Sequence, residues 1–222
     1  MHIFSSLLKR EFLLLTRNKE IFFTLLLFFG LSLFLFPFAL SSDAAQLKLF
    51  GPGLLWVITI FTILSSVESF YKKDNDNSLL SFYYIQKTPF ILVFFAKIIT
   101  HFCLMISILM IILPLFGLFF GLELKSIVIL SASLLLGIPP LITLIHFAIA
   151  LTLSTQKTGM LVLVIVLPFI IPILIFGVGT VTFYETGQTL KQPFMFMAAI
   201  FLFVFAFVPW IAAYALKESA RQ

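Results

Sequence analysis

Six long stretches free of Asp, Glu, Lys and Arg constrain this chain more than any other feature. They cover residues 21–42, 49–67, 98–122, 126–156, 158–184 and 192–216. A helix that crosses a bilayer needs about 20 mainly apolar residues, so each stretch can cross once and none can cross twice. The stretches are continuously apolar and lack the alternation of barrel strands, which predicts an all-α membrane protein. We expect six transmembrane helices at about 21–41, 50–68, 97–120, 127–153, 159–180 and 194–216.

The composition excludes a soluble globular domain. Apolar residues make up 62% of the 222 residues and charged residues 10%, against roughly 45–50% and about 25% in soluble domains. Residues 1–222 are therefore expected to form a single transmembrane domain. The basic residues are dispersed and form no stripe, which argues against nucleic acid as a partner.

The placement of Lys and Arg predicts the orientation in the membrane. An even number of spans puts both termini on one side. That side carries Lys9, Arg10, Arg17, Lys19, Lys72, Lys73, Lys87, Lys97, Lys157, Lys217 and Arg221. The other side carries Lys48, Lys125 and Lys191. Because cytoplasmic loops are enriched in basic residues, both termini are expected in the cytoplasm.

The segment before the first span, residues 1–19, has the pattern of a basic amphipathic helix. Its apolar residues recur near helical spacing: Ile3, Phe4, Leu7, Leu8, Phe12, Leu14 and Leu15. Such a helix lies in the membrane interface, although the segment could also be a simple flank that directs insertion. Ala39 and Ser41 could suit a signal peptidase, but the apolar run before them is longer than a signal peptide requires, which favours an uncleaved span.

A polar loop at 69–89 joins the second and third spans on the cytoplasmic side. Asp76 or Asn77 can cap a short helix, which would run from Ser78 to Gln86 before Pro89. The helix is expected to expose Leu79, Leu80, Phe82, Tyr83 and Tyr84. Exposed aromatic residues require a protein partner or the headgroup layer, and both alternatives stay open.

Proline and glycine residues interrupt the fifth span. Pro168 and Pro172 each remove a backbone donor, and Gly177 and Gly179 are expected to end the regular helix. We expect a bend, or part of a pathway, near this point, because broken helices in membranes are tolerated where protein or water satisfies the backbone. The alternative is that the span tolerates its prolines as many transmembrane helices do.

No catalytic or nucleotide-binding motif occurs in the sequence. It contains no GxxxxGK[ST] phosphate loop, no HExxH motif and no CxxC motif, so we predict neither an enzyme nor a metal site. Two histidines lie within spans, His101 in the third and His146 in the fourth. They are candidate haem ligands, and the alternative is a hydrogen bond between helices.

Several stretches carry a family resemblance over nearly the whole chain. They are Gly51-Pro-Gly-Leu-Leu-Trp-Val57, Tyr71-Lys-Lys-Asp-Asn-Asp-Asn-Ser-Leu79 and Leu167-Pro-Phe-Ile-Ile-Pro-Ile-Leu-Ile-Phe-Gly177. Together with the length and the six spans, they resemble the haem exporter protein B family (CcmB). Members of this family are permease subunits of an ABC transporter in cytochrome c maturation.

The resemblance implies an ABC-2-type exporter permease bundle in the bacterial inner membrane. It implies a separate ATPase subunit (CcmA) that binds ATP, the partners CcmC and CcmD, and indirectly the haem chaperone CcmE. Haem would be a substrate, not a resident cofactor, and a homodimer is also conceivable. The family's loop motif would bring Asp74, Asp76, Asn77 and Ser78 to the ATPase, although Asn77 and Leu80 stand where the family usually has glycine and glutamate.

Three other functions stay open at this stage. The chain could be the permease of another ABC-2-type exporter or a membrane scaffold that transports nothing. A secondary carrier is the third, but carriers use buried ionisable groups and internal repeats, and residues 1–110 and 111–222 show no convincing repeat.

Overall fold

The computed structural model describes residues 2–40, 43–71, 79–153 and 158–221. The helices bounded in this part are α1 (His2–Arg17), α2 (Lys19–Leu40), α3 (Ala44–Val67), α4 (Leu79–Ile85), α5 (Phe90–Phe120), α6 (Leu124–Thr152), α7 (Thr158–Glu185) and α8 (Lys191–Ser219). Six of them, α2, α3, α5, α6, α7 and α8, are long and apolar enough to cross a membrane. The described residues contain no strand, so the prediction of an all-α six-span bundle is confirmed.

Helix α6 lies at the centre of the bundle. It packs most extensively against α7 and α8 and also contacts α3 and α5. Its inward face is apolar, with Leu134, Ile138, Leu141 and Ile145 all buried. Helix α2 lies at the periphery and is the least buried of the six spans. Its exposed leucines and phenylalanines fit contact with lipid, since apolar side chains carry no penalty there.

Helix α5 begins well before the predicted start of the third span at 97. Pro89 precedes its first turn and the helix starts at Phe90. Lys97 is therefore an interior residue of α5 and is fully buried. The sequence argument treated this lysine as a boundary, but a charge can lie inside a helical bundle when it is paired, and Lys97 is paired as described below.

Helix α7 continues through all four of its expected helix breakers. It is helical from Thr158 to Glu185, across Pro168, Pro172, Gly177 and Gly179. The expectation that the two glycines end the regular helix is therefore wrong. Each proline removes one backbone hydrogen bond, which α7 accommodates while packed on α6 and α8. A bend at Pro168 and Pro172 stays a prediction.

Helix α6 likewise continues across two consecutive prolines, Pro139 and Pro140. The hydroxyl of Thr143 donates to the carbonyl of Pro139 at 2.8 Å. The carbonyls that lose their backbone donors to the two prolines are those of Leu135 and Leu136, four residues earlier.

Candidate functional site

The polar loop at 69–89 is described at 69–71 and again from Leu79 onward, where α4 begins. Four residues that the resemblance would bring to the ATPase lie outside the described residues: Asp74, Asp76, Asn77 and Ser78. Helix α4 has two distinct faces: Leu80 and Tyr83 are buried against the bundle, whereas Phe82 is 50% exposed and Ile85 is 77% exposed. The expectation that Leu80 and Tyr83 are exposed is therefore wrong, because residues three apart share one helix face. Leu79 and Tyr84 are half-buried.

A left-handed residue and a polar contact fix the end of α4. Lys87 has φ 54°, and the N–H of Thr88 donates to the carbonyl of Tyr83 at 3.0 Å. This is the geometry of a Schellman helix end. The Tyr84 hydroxyl accepts from Arg221 Nε at 3.1 Å. The hydrogen bond with Tyr84, followed by that with Glu218, raises the pKa of Arg221.

A buried ion pair joins α1 to α5. Lys97 Nζ lies 3.4 Å from Glu11 Oε1 and donates to the carbonyl of Phe70 at 2.6 Å. Lys97 is 0% exposed and Glu11 is 5% exposed. Arg10 also contacts Glu11, at 2.6 Å. A buried charge requires such partners, because desolvation otherwise costs several kcal/mol. The amphipathic segment predicted at the N-terminus is thus held to the third span.

The two intramembrane histidines form a continuous hydrogen-bonded chain with two residues near the end of α3. Ser66 Oγ lies 2.7 Å from His101 Nε2, and His101 Nδ1 lies 2.9 Å from His146 Nε2. His146 Nδ1 lies 3.0 Å from the hydroxyl of Tyr71. All four residues are buried. The chain therefore connects the end of α3 with α5 and α6.

One placement of the protons satisfies this whole chain. In it the Ser66 hydroxyl donates to the carbonyl of Thr62 at 2.8 Å, and its oxygen accepts from the Nε2–H of His101. His101 Nδ1 then accepts from the Nε2–H of His146, and His146 Nδ1 accepts from the Tyr71 hydroxyl. Every donor and acceptor in the chain is satisfied with both imidazoles neutral, which is what burial of polar groups requires.

The same geometry bears on haem ligation by His101 and His146. All four of their ring nitrogens are engaged by Ser66, Tyr71 or each other. A ligand role for either histidine would require this chain to break. No group of three His, Cys, Asp or Glu side chains surrounds a common point in the described part of the chain. The hydrogen bond between helices, the other role considered for these histidines, is observed.

Two of the three motifs that carry the family resemblance, those of α3 and α7, meet inside the bundle. A Cβ atom built on Gly177 would lie 2.4 Å from Trp56 Cε2, and one built on Gly137 would lie 2.4 Å from Trp56 Cη2. The indole of Trp56, on α3, therefore fills a slot between α6 and α7. The slot exists because Gly137 and Gly177 have no side chains. Trp56 Nε1 is buried and has no hydrogen-bond partner among the described residues. Gly179 does not line this slot, since nothing lies within 4 Å of a Cβ atom built there.

Sequence reasoning missed four residues of these networks: Glu11, Ser66, Tyr71 and Gly137. A signal existed for Glu11, since it is an acid between basic residues and Lys97 needs a partner within an apolar run. None existed for the others, because their contacts depend on how the helices are rotated against each other.

Comparisons with known proteins agree on one family over the whole chain. A sequence model of the family described as CcmB protein matches residues 2–219. The chain is 31% identical over 221 residues to Heme exporter protein B of Pseudomonas aeruginosa, covering 100% of this chain and 99% of the relative. It is 32% identical over 216 residues to Heme exporter protein B of Paracoccus denitrificans, covering 97% and 99%. The corresponding protein of Bradyrhizobium diazoefficiens is 30% identical over 193 residues.

The six apolar helices and the buried polar chain between them define a multi-pass helical membrane protein. Its length, its motifs and its relatives narrow that class further. The chain belongs to the CcmB protein family, which confirms the resemblance seen in the sequence.

Proposed function

We propose that this chain is the membrane permease subunit of an ATP-driven ABC transporter for cytochrome c biogenesis. Haem, or the haem-loaded chaperone CcmE, would be handled on the periplasmic side of the bacterial inner membrane. ATP would be bound by a separate subunit, CcmA, because this sequence contains no phosphate loop. CcmC and CcmD would complete the complex. The relatives' name, Heme exporter protein B, supports haem as the cargo.

The exposed face of α4 is the observation that carries the proposal. Phe82 and Ile85 project from a short helix whose other face is anchored by Leu80 and Tyr83. Apolar residues held on a rigid support form good anchors for a partner surface, because little side-chain entropy is lost on binding. The ATPase would bind here, with Asp74, Asp76, Asn77 and Ser78 adding polar contacts.

The contacts of α4 and α5 supply a route for coupling. Only Gln86 to Pro89 separate the two helices, so a displacement of α4 is transmitted to the start of α5. Helix α5 carries Lys97 and His101, which bind α1, α3 and α6. Coupling needs an element with two arrangements that both sites bias; here it would be α5 with its buried polar chain.

At the other end of the route, the Trp56 slot would link the movement to α7. Trp56 lies ten residues before Ser66 on α3, and it contacts Gly177 on α7. A tilt of α3 would therefore press on α7 near Pro168 and Pro172, the predicted bend or pathway. The protein itself would perform no chemistry, since catalysis resides in the ATPase.

The orientation follows from charge. Lys97 is set aside because it is buried within α5. The other 13 basic residues divide 10 to 3 between the two sides, so the side that holds both termini and α4 would be cytoplasmic. This places α4 where a soluble ATPase can reach it.

Co-purification with the ATPase tests the proposal directly. The double variant Phe82→Asp, Ile85→Asp is co-expressed with tagged CcmA and extracted in mild detergent. We expect recovery of the chain with CcmA to fall roughly tenfold or more, since interface anchors are worth about 2 kcal/mol or above and 1.4 kcal/mol is a factor of ten. Leu124→Asp is the matched control, because Leu124 is as exposed as Ile85, at 77%, on the opposite side.

Full recovery of CcmA with the double variant would contradict the coupling role of α4. Recovery of a different ATPase would instead favour another ABC-2-type exporter. A scaffold would be favoured by a third result: variants of Pro168 and Pro172 that still bind the ATPase and still support cytochrome c maturation.

A further inference from the structure

An open cavity of about 730 Å³ lies between the α4–α5 turn and the end of α8. It is on the side of the membrane that holds both termini. Its lining residues are Tyr84, Ile85, Lys87, Thr88, Pro89, Phe90, Ile91, Trp210, Ala213, Tyr214 and Lys217. The volume is that of a typical ligand site, about 300–1,000 Å³.

The cavity has a cationic rim and an apolar wall. Lys87 and Lys217 are both exposed and belong to different elements. Phe90 and Trp210 supply aromatic surface below them. None of the described residues that line the cavity is acidic, so the two ammonium groups attract an anion from both sides of the opening.

Lys87 occupies a backbone conformation that its side chain does not favour. It has φ 54° at the helix-end position where glycine is the usual residue. Left-handed backbone is unfavourable for a residue with a Cβ atom, so local folding does not explain a lysine here. Strained residues of this kind mark positions selected for what their side chains do.

A stripe on α8 leads from the cavity into the bilayer. Phe203, Phe207, Trp210 and Tyr214 are each more than half exposed, and with Lys217 they follow the alternating spacing of one helix face. From Phe203 to Lys217 the helix rises roughly 21 Å at 1.5 Å per residue. Half of the hydrocarbon core plus one headgroup layer is about 20–22 Å, so the stripe has the length of one lipid leaflet.

We propose that this cavity binds an anionic glycerophospholipid. The phosphate lies between Lys87 and Lys217, and an acyl chain follows the stripe past Trp210 toward Phe203. Basic pockets at the membrane surface select anionic headgroups, and amphipathic aromatic residues suit the level of the headgroup. A bound lipid would brace the turn that joins α4 to α5.

Native mass spectrometry of the purified chain in neutral detergent tests the site. Dioleoylphosphatidylglycerol and dioleoylphosphatidylcholine are compared, because they share their acyl chains. We expect the chain to retain only the anionic lipid. Lys87→Gly and Lys217→Gln should each lower the affinity for that lipid about fivefold. Lys217→Arg should retain binding. Lys191→Gln, at the opposite end of α8, is the matched control and should leave binding unchanged.

The choice of glycine separates binding from folding. Lys87→Gly relaxes the helix end, so its thermal stability without lipid should equal or exceed that of the unchanged chain. Equal retention of the two lipids, or full retention by Lys87→Gly and Lys217→Gln, would overturn the proposal. Two other results would also overturn it. One is competition by glycerol 3-phosphate as strong as that of the lipid, which would indicate a soluble phosphate ligand. The other is a protein bound at the cavity in place of the lipid.

Discussion

The indole of Trp56 lies directly against the Cα atom of Gly177, so close that a Cβ atom there would be 2.4 Å from two of its ring carbons. Both residues belong to motifs that mark the family, on α3 and α7. Gly137 of α6 closes the other side of the same slot. The large side chain of Trp56 therefore packs α3 against α6 and α7 at two positions where glycine leaves room for it.

Replacing Gly177 with alanine should destabilise the protein by about 1–3 kcal/mol, because the added methyl group overpacks a closed slot. Gly179→Ala is the matched control, since nothing lies within 4 Å of a Cβ atom there. That change should be neutral or slightly stabilising, because alanine favours helix. Thermal unfolding in detergent measures both; equal behaviour of the two variants would refute the slot.

Removing Glu11 alone should destabilise the bundle more than removing the whole ion pair. Glu11→Leu leaves the ammonium of Lys97 without its carboxylate, a loss of about 3–5 kcal/mol for a buried pair. The double variant Glu11→Leu, Lys97→Met should recover much of that loss, because the buried ammonium is removed together with its carboxylate. Unfolding midpoints test this order, and a double variant as unstable as Glu11→Leu would contradict the pairing.

The histidine chain should behave as a unit. Tyr71→Phe removes the hydrogen-bond partner of His146 Nδ1, and Ser66→Ala removes that of His101 Nε2, each at a cost of about 1–3 kcal/mol. Residues of one network are non-additive, so the double variant should lose less than the sum. Additive losses within about 0.5 kcal/mol would show that the two ends of the chain are independent.

Haem co-purified with the assembled complex should keep its visible spectrum when His146 is replaced by leucine. The reason is that both ring nitrogens of His146 already bind Tyr71 and His101. Normalising the spectrum to the amount of folded complex controls for lost stability. A shift of the Soret band in that variant would instead support His146 as a ligand.

The six spans could be predicted from the sequence because each apolar run matches the thickness of a bilayer. The start of α5 could not be predicted in the same way, since Lys97 resembles a boundary until its partner Glu11 is known. Similarly, Gly177 resembles a helix breaker until Trp56 is seen against it. In both cases a residue with a clear local meaning has a different role because of a distant contact.

The candidate site was predictable in part. The short helix in the polar loop at 69–89 and its aromatic character follow from the sequence. Its division into a buried and an exposed face could not be predicted, because it depends on how α4 packs on the bundle. His101 and His146 could be singled out as polar groups in apolar runs. Their mutual hydrogen bond depends on how α5 and α6 are rotated about their axes. The sequence does not specify this rotation, because apolar residues occur all around both helices and mark no single face.

The accessibility of Ile85 tests the central claim most directly, that α4 faces the cytoplasm and binds the ATPase. Ile85→Cys is placed in a Cys103→Ser background, which removes the only native cysteine, and Leu124→Cys serves as the control for the opposite side. A membrane-impermeant maleimide should label Ile85→Cys in inside-out vesicles and not in spheroplasts, and bound CcmA should suppress the labelling. Labelling of Ile85→Cys from the periplasmic side, or labelling that CcmA leaves unchanged, would contradict the account.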